Sequence, residues 1–330
     1  MTAGQQIRET LEAQQIGVYF GAVAVAVLAA LLLPGTDALE VAINPALAVM
    51  LFATFLQVPL VDMALSLRQV RFLAALLVVN FVLVPVLVAI LVPFLPSDPL
   101  VRIGVLFVLL TPCIDYVVTF SHLGRADARL LLASTPALLI VQMALLPLYL
   151  RLFLGAGAAD LVQPGPFLHA FVWLIAIPLV LAALVQFGSM RSRSGERLNA
   201  GLGLLPVPAT ALVLFVVIAA VVPQLGPATS AALRVVPIYV AFAAIAPLIG
   251  WIVGWKLFRL DAPASRSLAF SAGTRNSLVV LPLAFAVPGA VPILPAMIVT
   301  QTLVELVSEL IYVRLLPRLG TERGLPGADA

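Results

Sequence analysis

Ten stretches of roughly 20 residues, apolar and nearly free of charge, run the length of this chain. They lie at about 15–34, 43–61, 71–94, 100–121, 128–154, 167–187, 203–223, 230–256, 264–287 and 291–315. Wound as a helix, a stretch of that length crosses the hydrocarbon of a bilayer and satisfies its own backbone hydrogen bonds there. The pattern predicts an all-α polytopic membrane protein with ten transmembrane helices. A large-cored soluble enzyme is excluded by composition: charged residues make up 10% of the chain and hydrophobic ones 63%, whereas a soluble domain carries about a quarter charged.

The hydrophilic breaks alternate in charge. One set holds Arg8, Arg68, Arg71, Arg125, Arg129, Arg191, Arg193, Arg197, Lys256, Arg259, Arg266, Arg314, Arg318 and Arg323. The other set, with "GTDALE", "PSDPLVR" and "GAGAADLVQPG", has Arg102 as its clearest basic member. The positive-inside rule then puts both termini in the cytoplasm, in the plasma (inner) membrane of a prokaryote. The N-terminal "MTAGQQIRETLEAQQIG" lacks the basic region and cleavage site of a signal peptide, so the first span is expected to stay in the mature protein. Cys113 is the only cysteine, which rules out an intramolecular disulfide. No nucleotide-binding loop is present, His122 and His169 form no metal cluster, and the basic residues sit in short breaks. These features predict no enzyme activity, no cofactor or resident metal, and no nucleic-acid partner.

"PALLIVQ" (Pro136 to Gln142) in the fifth span has a counterpart in "PAMIVTQ" (Pro295 to Gln301) in the tenth. Each follows a polar span broken by proline or glycine: "LLTPCIDYVVTF" in one half, "SAGTRNSLVVLPLAF" in the other. Residues 1–155 and 156–330 are therefore read as two five-helix repeats. Five is odd, so the second repeat must insert inverted. Inverted repeats with discontinuous helices are typical of secondary transporters.

The polar groups inside these spans are the candidate site. Gly273 interrupts the ninth span beside Ser271, Thr274, Asn276 and Ser277, with Arg275 among them. A guanidinium at that depth must be paired, hydrated or turned toward a polar cavity. In the fourth span Pro112 weakens the helix next to Cys113 and Asp115. Cys113 reads either as an inert packing thiol or as a ligand. Asp115 either pairs with Arg275 or carries a proton. Glu305 and Glu309 share one face of the tenth span: Glu305, the deeper, is the proton or cation site, and Glu309 is placed near Arg314 as a structural pair. Asn80 in the third span, with Gln57, Ser134, Thr135, Gln142 and Gln301, completes the set of cavity-lining candidates.

With these residues in view, the chain resembles the bile acid:sodium symporter superfamily, and within it the arsenite exporters of arsenical resistance. The resemblance spans roughly residues 15–318 and rests on "TPCIDYVVTFSHLGRADARL" followed by "STPALL", on "NFVLVP", and on "LAFSAGTRNSLVVLPLAFA" followed by "TLVELV". It implies a ten-helix fold in which broken helices 4 and 9 cross. Spans 1, 2, 6 and 7 would form a panel domain, and spans 3–5 and 8–10 a core domain. It also implies that Cys113 is the exporters' essential cysteine, that Glu305 matches their tenth-helix glutamate, and that Asn276 matches a polar residue of their ninth helix. The departures are Leu278, where the exporters carry an acidic residue, and Ser271 and Arg275, where sodium-coupled relatives place a glutamate and a glutamine at their sodium sites.

The reading that follows is a secondary antiporter exporting arsenite or a related thiophilic oxyacid, driven by protons rather than sodium. Cys113 would supply a soft sulfur donor. Thr274, Arg275, Asn276 and Asn80 would line the substrate site, and Asp115 or Glu305 would exchange protons. The alternative is a transporter of a small organic anion held by Arg275.

Overall fold

Apolar windows in a chain with so little charge leave the backbone no polar partner but itself, and helix is the result. The computed structural model describes residues 3–57, 69–114, 116–159, 165, 169, 172–285, 287, 289 and 291–320. Helices α1 (Ala3–Leu32), α2 (Glu40–Leu56) and α3 (Val70–Phe94) are followed by two short ones, α4 (Pro99–Leu109) and α5 (Tyr116–Leu123). Then come α6 (Ala128–Ala159), kinked at Gly155, α7 (Val172–Ser189), α8 (Arg193–Leu202), α9 (Pro206–Val221) and α10 (Leu225–Ile252). Another short pair, α11 (Ala262–Gly273) and α12 (Ser277–Phe285), precedes α13 (Ile293–Leu315).

Eight helical stretches among the described residues are long and apolar enough to cross a membrane. The expected fourth and ninth spans are not among them, because each is broken into two short helices. At 1.5 Å per residue the 11 residues of α4 reach about half of the ~30 Å hydrocarbon thickness. A further difference from expectation is α8, which occupies a break read as hydrophilic linker. Ser192 accepts the Gly195 N–H at 3.0 Å and caps it, supplying the N-terminal acceptor a polar segment needs to start a helix.

The long helices pack in two groups. α1 and α2 both lie against α9, and α2 also against α7; α10 packs on α11 and α13, and α13 on α4. Gly250 on α10 and Gly254, one turn further in the π-helical turn Val253–Leu257 that continues it, let the α11 backbone approach closely: a Cβ at Gly250 would sit 2.5 Å from the Leu268 carbonyl oxygen, and one at Gly254 3.1 Å from Ser265 Cα. Small residues at that spacing are a recurring basis of helix contact in membranes.

Prolines inside these helices orphan carbonyls that no water would satisfy, and tyrosines answer two of them. Pro85 cannot donate to the Phe81 carbonyl, which takes the Tyr149 hydroxyl at 2.5 Å instead. Pro247 cannot donate to Ala243, whose carbonyl takes the Tyr312 hydroxyl. The first pair joins α3 to α6 and the second joins α10 to α13. Next to Pro85 lies the π-helical turn Val79–Leu83, which contains Asn80.

Candidate functional site

α4 stops because Pro112 has no N–H for the Val108 carbonyl. Thr111 covers that end, its hydroxyl lying 2.8 Å from the Phe107 oxygen and 3.2 Å from that of Val108. α11 stops at Gly273, and Thr274 turns extended. Each break then has peptide groups to satisfy, and the two satisfy each other. The Asn276 N–H donates to the Thr111 carbonyl at 2.8 Å, and the Cys113 N–H to the Thr274 carbonyl at 3.1 Å. Pro112 and Arg275 face one another as an antiparallel bridge. In such a pair the flanking residues make the bonds, so the missing N–H of Pro112 is not required there. The Arg275 N–H points the other way, to Glu305 Oε2 at 2.6 Å.

Glu305 gathers three donors from three elements. Besides the Arg275 N–H, it accepts the Tyr116 hydroxyl from the start of α5 and the Gln301 amide at 2.6 Å. Gln301 in turn accepts the Ser277 hydroxyl at 2.5 Å. One carboxylate of α13 thereby fastens the beginnings of both second half-helices. Glu309, expected near Arg314 at the helix end, is instead fully buried and lies against the Thr274 hydroxyl. That hydroxyl also faces the Phe270 carbonyl at 2.7 Å.

Arg275 is completely buried. Its guanidinium donates to Asn80 Oδ1 at 2.9 Å, to the Ala272 carbonyl at 2.8 Å, to the Ser271 carbonyl, and more distantly to Leu109 at 3.4 Å. The Phe242 ring lies 5.4 Å from its central carbon. Asn80 is held by the Ser271 hydroxyl at 2.9 Å and by the Leu76 carbonyl at 3.1 Å. Asn276 begins α12, its side-chain oxygen accepting the Val279 N–H at 3.3 Å, while its Nδ2 has no partner among the described residues.

The crossing therefore brings together Cys113, Thr274, Arg275, Asn276, Asn80, Ser271, Ser277, Gln301 and Glu305. Cys113 is buried within it. Asp115 lies outside the described residues, as does its expected pairing with Arg275. Ser134 and Thr135 are buried along α6 and donate to carbonyls of their own helix, Leu130 and Leu132. Gln142, the counterpart of Gln301, is buried with neither amide atom partnered among the described residues.

Gln57 belongs to a different place. It lines a cavity of about 600 Å³ with Gln15, Thr119, His122 and Arg129, set between α1 and α2 on one side and α5 and α6 on the other. The Thr119 hydroxyl donates to Gln15 Oε1 at 3.0 Å, linking the two sides. Gln15, Thr119 and Arg129 each stand near a span boundary, where polar residues are ordinary, so nothing local marks them as parts of a site. Near this end, Arg266 donates to the Arg125 carbonyl at 3.0 Å and to that of Leu319, and Arg125, Arg314 and Arg318 surround one surface pocket. Three of the breaks predicted to share the basic face thus meet in space.

An all-helical, multi-pass membrane protein with two broken helices joined at a buried polar crossing is the class that this architecture defines. The model of the Sodium Bile acid symporter family matches residues 44–227, more than half of the chain, and the protein belongs to that family, a family of transporters. No curated protein matches the chain. The matched stretch includes Asn80 and Cys113, whereas Arg275 and Glu305 lie beyond it.

Proposed function

We propose that the protein is a secondary active transporter of a small anionic solute, carried between the α1, α2, α7 and α9 group and the remaining helices. The observation that carries this reading is the cavity between the two groups, where His122 and Arg129 stand with the amides of Gln15 and Gln57. One permanent cation beside an imidazole and two side-chain amides suits a carboxylate or sulfonate. Both Nη atoms of Arg275 are already committed to chain oxygens, and only its Nε lacks a partner among the described residues, so the anion-binding role passes from Arg275 to Arg129.

The ten-span, two-repeat organisation belongs to this proposal. Its support is the recurrence of broken helix, buried glutamine and proline-relieving tyrosine in both halves of the chain. The panel of spans 1, 2, 6 and 7 corresponds to α1, α2, α7 and α9, with α8 packed on α7, and the other helices make the core. Both termini are assigned to the cytoplasm of a prokaryotic cell because of the basic residues gathered at one end. Coupling is assigned to protons at Glu305 or Glu309. The Thr274 hydroxyl has a single hydrogen facing two oxygens, and a proton on Glu309 would satisfy both.

Efflux of arsenite is the second reading, favoured by the placement of Cys113 on the crossing itself, its N–H bonded to Thr274. Uptake of labelled carboxylates, sulfonates including bile acids, and arsenite into proteoliposomes separates the two. The anion reading expects saturable anion uptake, with Arg129→Gln lowering kcat/KM by about tenfold, mainly through KM, as for loss of one charged hydrogen bond. Cys113→Ser should leave that uptake intact. Anion uptake indifferent to both Arg129→Gln and His122→Gln would defeat the cavity assignment. Arsenite flux abolished in Cys113→Ser, with no anion flux in the wild type, would establish the thiol reading instead.

A further inference from the structure

Among the described residues Arg275 is the largest that is fully buried, and the chemistry around it is unusual for an arginine. Nη2 carries two hydrogens, yet three oxygens converge on it: Asn80 Oδ1 at 2.9 Å, the Ala272 carbonyl at 2.8 Å and the Ser271 carbonyl. A planar donor with two N–H bonds serves three acceptors only by sharing one hydrogen between two of them. A spherical cation faces all three equally, and neutral carbonyl and amide oxygens are the ligands that hard monovalent cations take in membrane proteins.

The origin of these oxygens is also informative. Ser271 and Ala272 are in the last turn of α11, where the break at Gly273 frees the carbonyls from helical partners. Leu109, on the neighbouring Nη1, is the last residue of α4. Two half-helix C-termini, each with partial negative charge, thus aim at one buried point. Asn80 completes the shell from the π-helical turn of α3, oriented by the Ser271 hydroxyl. The arrangement attracts positive charge whether or not that charge belongs to the chain.

We propose that Arg275 is a tethered cation, its Nη2 filling a cage of Asn80, Ser271 and Ala272 oxygens that takes a free sodium ion once the side chain is removed. A transporter so equipped carries its positive charge permanently at the crossing and needs no sodium to hold α3, α4 and α11 together. This goes beyond the transport reading, whose solute cavity lies elsewhere, and the readout below involves no transported solute, so the two can fail separately.

The test is thermal unfolding of the purified full-length protein in detergent, with sodium chloride exchanged for potassium or choline chloride at fixed ionic strength. The wild type and Arg275→Lys should unfold at the same temperature in all three salts. Arg275→Ala and Arg275→Met should be less stable in choline, and sodium should raise their Tm by roughly 3 °C or more, saturably. A folded Arg275→Ala and Arg275→Met with no sodium response would overturn the proposal, as would sodium stabilisation of the wild type. Should both neutral variants fail to fold, the decision falls to the stability of the wild type and of Arg275→Lys in the three salts. Independence from sodium in both supports the tethered cation, and dependence in either refutes it.

Discussion

Glu305→Ala is expected to destabilise the protein by on the order of 3–9 kcal/mol and to abolish transport, because it leaves three buried donors without an acceptor. The Arg275 N–H, the Gln301 amide and the Tyr116 hydroxyl all end on this carboxylate, and each orphaned group costs about 1–3 kcal/mol when no water can replace the partner. Glu305→Gln separates structure from proton exchange. Its oxygen can keep the Arg275 and Gln301 bonds while its amide donates to the Tyr116 hydroxyl, which has lone pairs to accept. That variant should therefore fold, with a loss of about 1 kcal/mol. If Glu305 exchanges protons, the glutamine variant retains solute counterflow and loses uptake driven by a pH gradient. Thermal unfolding and the two flux modes, measured together, read both effects. A stable Glu305→Ala protein with normal flux would remove this residue from the account.

The second large effect belongs to a residue without a side chain. Gly250→Ala places a methyl group 2.5 Å from the Leu268 oxygen, 2.8 Å from its carbonyl carbon and 2.9 Å from Ala269 Cα. All three are backbone atoms, so relief requires α10 and α11 to separate. Overpacking of this kind costs typically 1–3 kcal/mol. Here it also displaces the α11 terminus that surrounds Arg275, so flux should fall further than stability alone predicts. Gly21→Ala is the control: nothing lies within 4 Å of the added atom, and alanine favours helix by up to about 1 kcal/mol. The two substitutions are expected to move Tm in opposite directions. Equal and small shifts would contradict the close-packed α10–α11 contact.

The breaks in the fourth and ninth spans were legible because their causes are local. Pro112 and Gly273 are helix breakers wherever they stand, and a polar cluster in an apolar window marks a place the lipid cannot touch. The sharing of one site by Asn80, Arg275 and Glu305 was legible in kind, since each is too polar to face lipid alone. Their partners were not. The Asp115 pairing suggested for the Arg275 guanidinium lies outside the described residues, and among those described Ser271, Ala272 and Leu109 answer it through main-chain oxygens, which every residue possesses and no composition distinguishes. Glu309 was assigned to the wrong surroundings for a related reason: one turn of uncertainty along α13 separates the helix end from the crossing. The cavity was legible only at Gln57. It is assembled from the ends of helices far apart in the chain, and Gln15, Thr119 and Arg129 acquire meaning only when α1, α5 and α6 converge. Gly250 and Gly254 carry a recognisable spacing, but a pair of glycines in an apolar chain gains significance only from the backbone that approaches it.

The central claim is that solute moves as one helical group shifts against the other, and the contact between Thr119 and Gln15 spans the two groups directly. The decisive measurement is solute flux in proteoliposomes carrying Gln15→Cys with Thr119→Cys, bridged by a short, reducible bifunctional thiol reagent. Cys113, being fully buried, is shielded from the reagent. The account predicts that the bridged protein is folded but silent, and that reduction restores flux to the level of the unbridged double variant. Undiminished flux in fully bridged protein would contradict it.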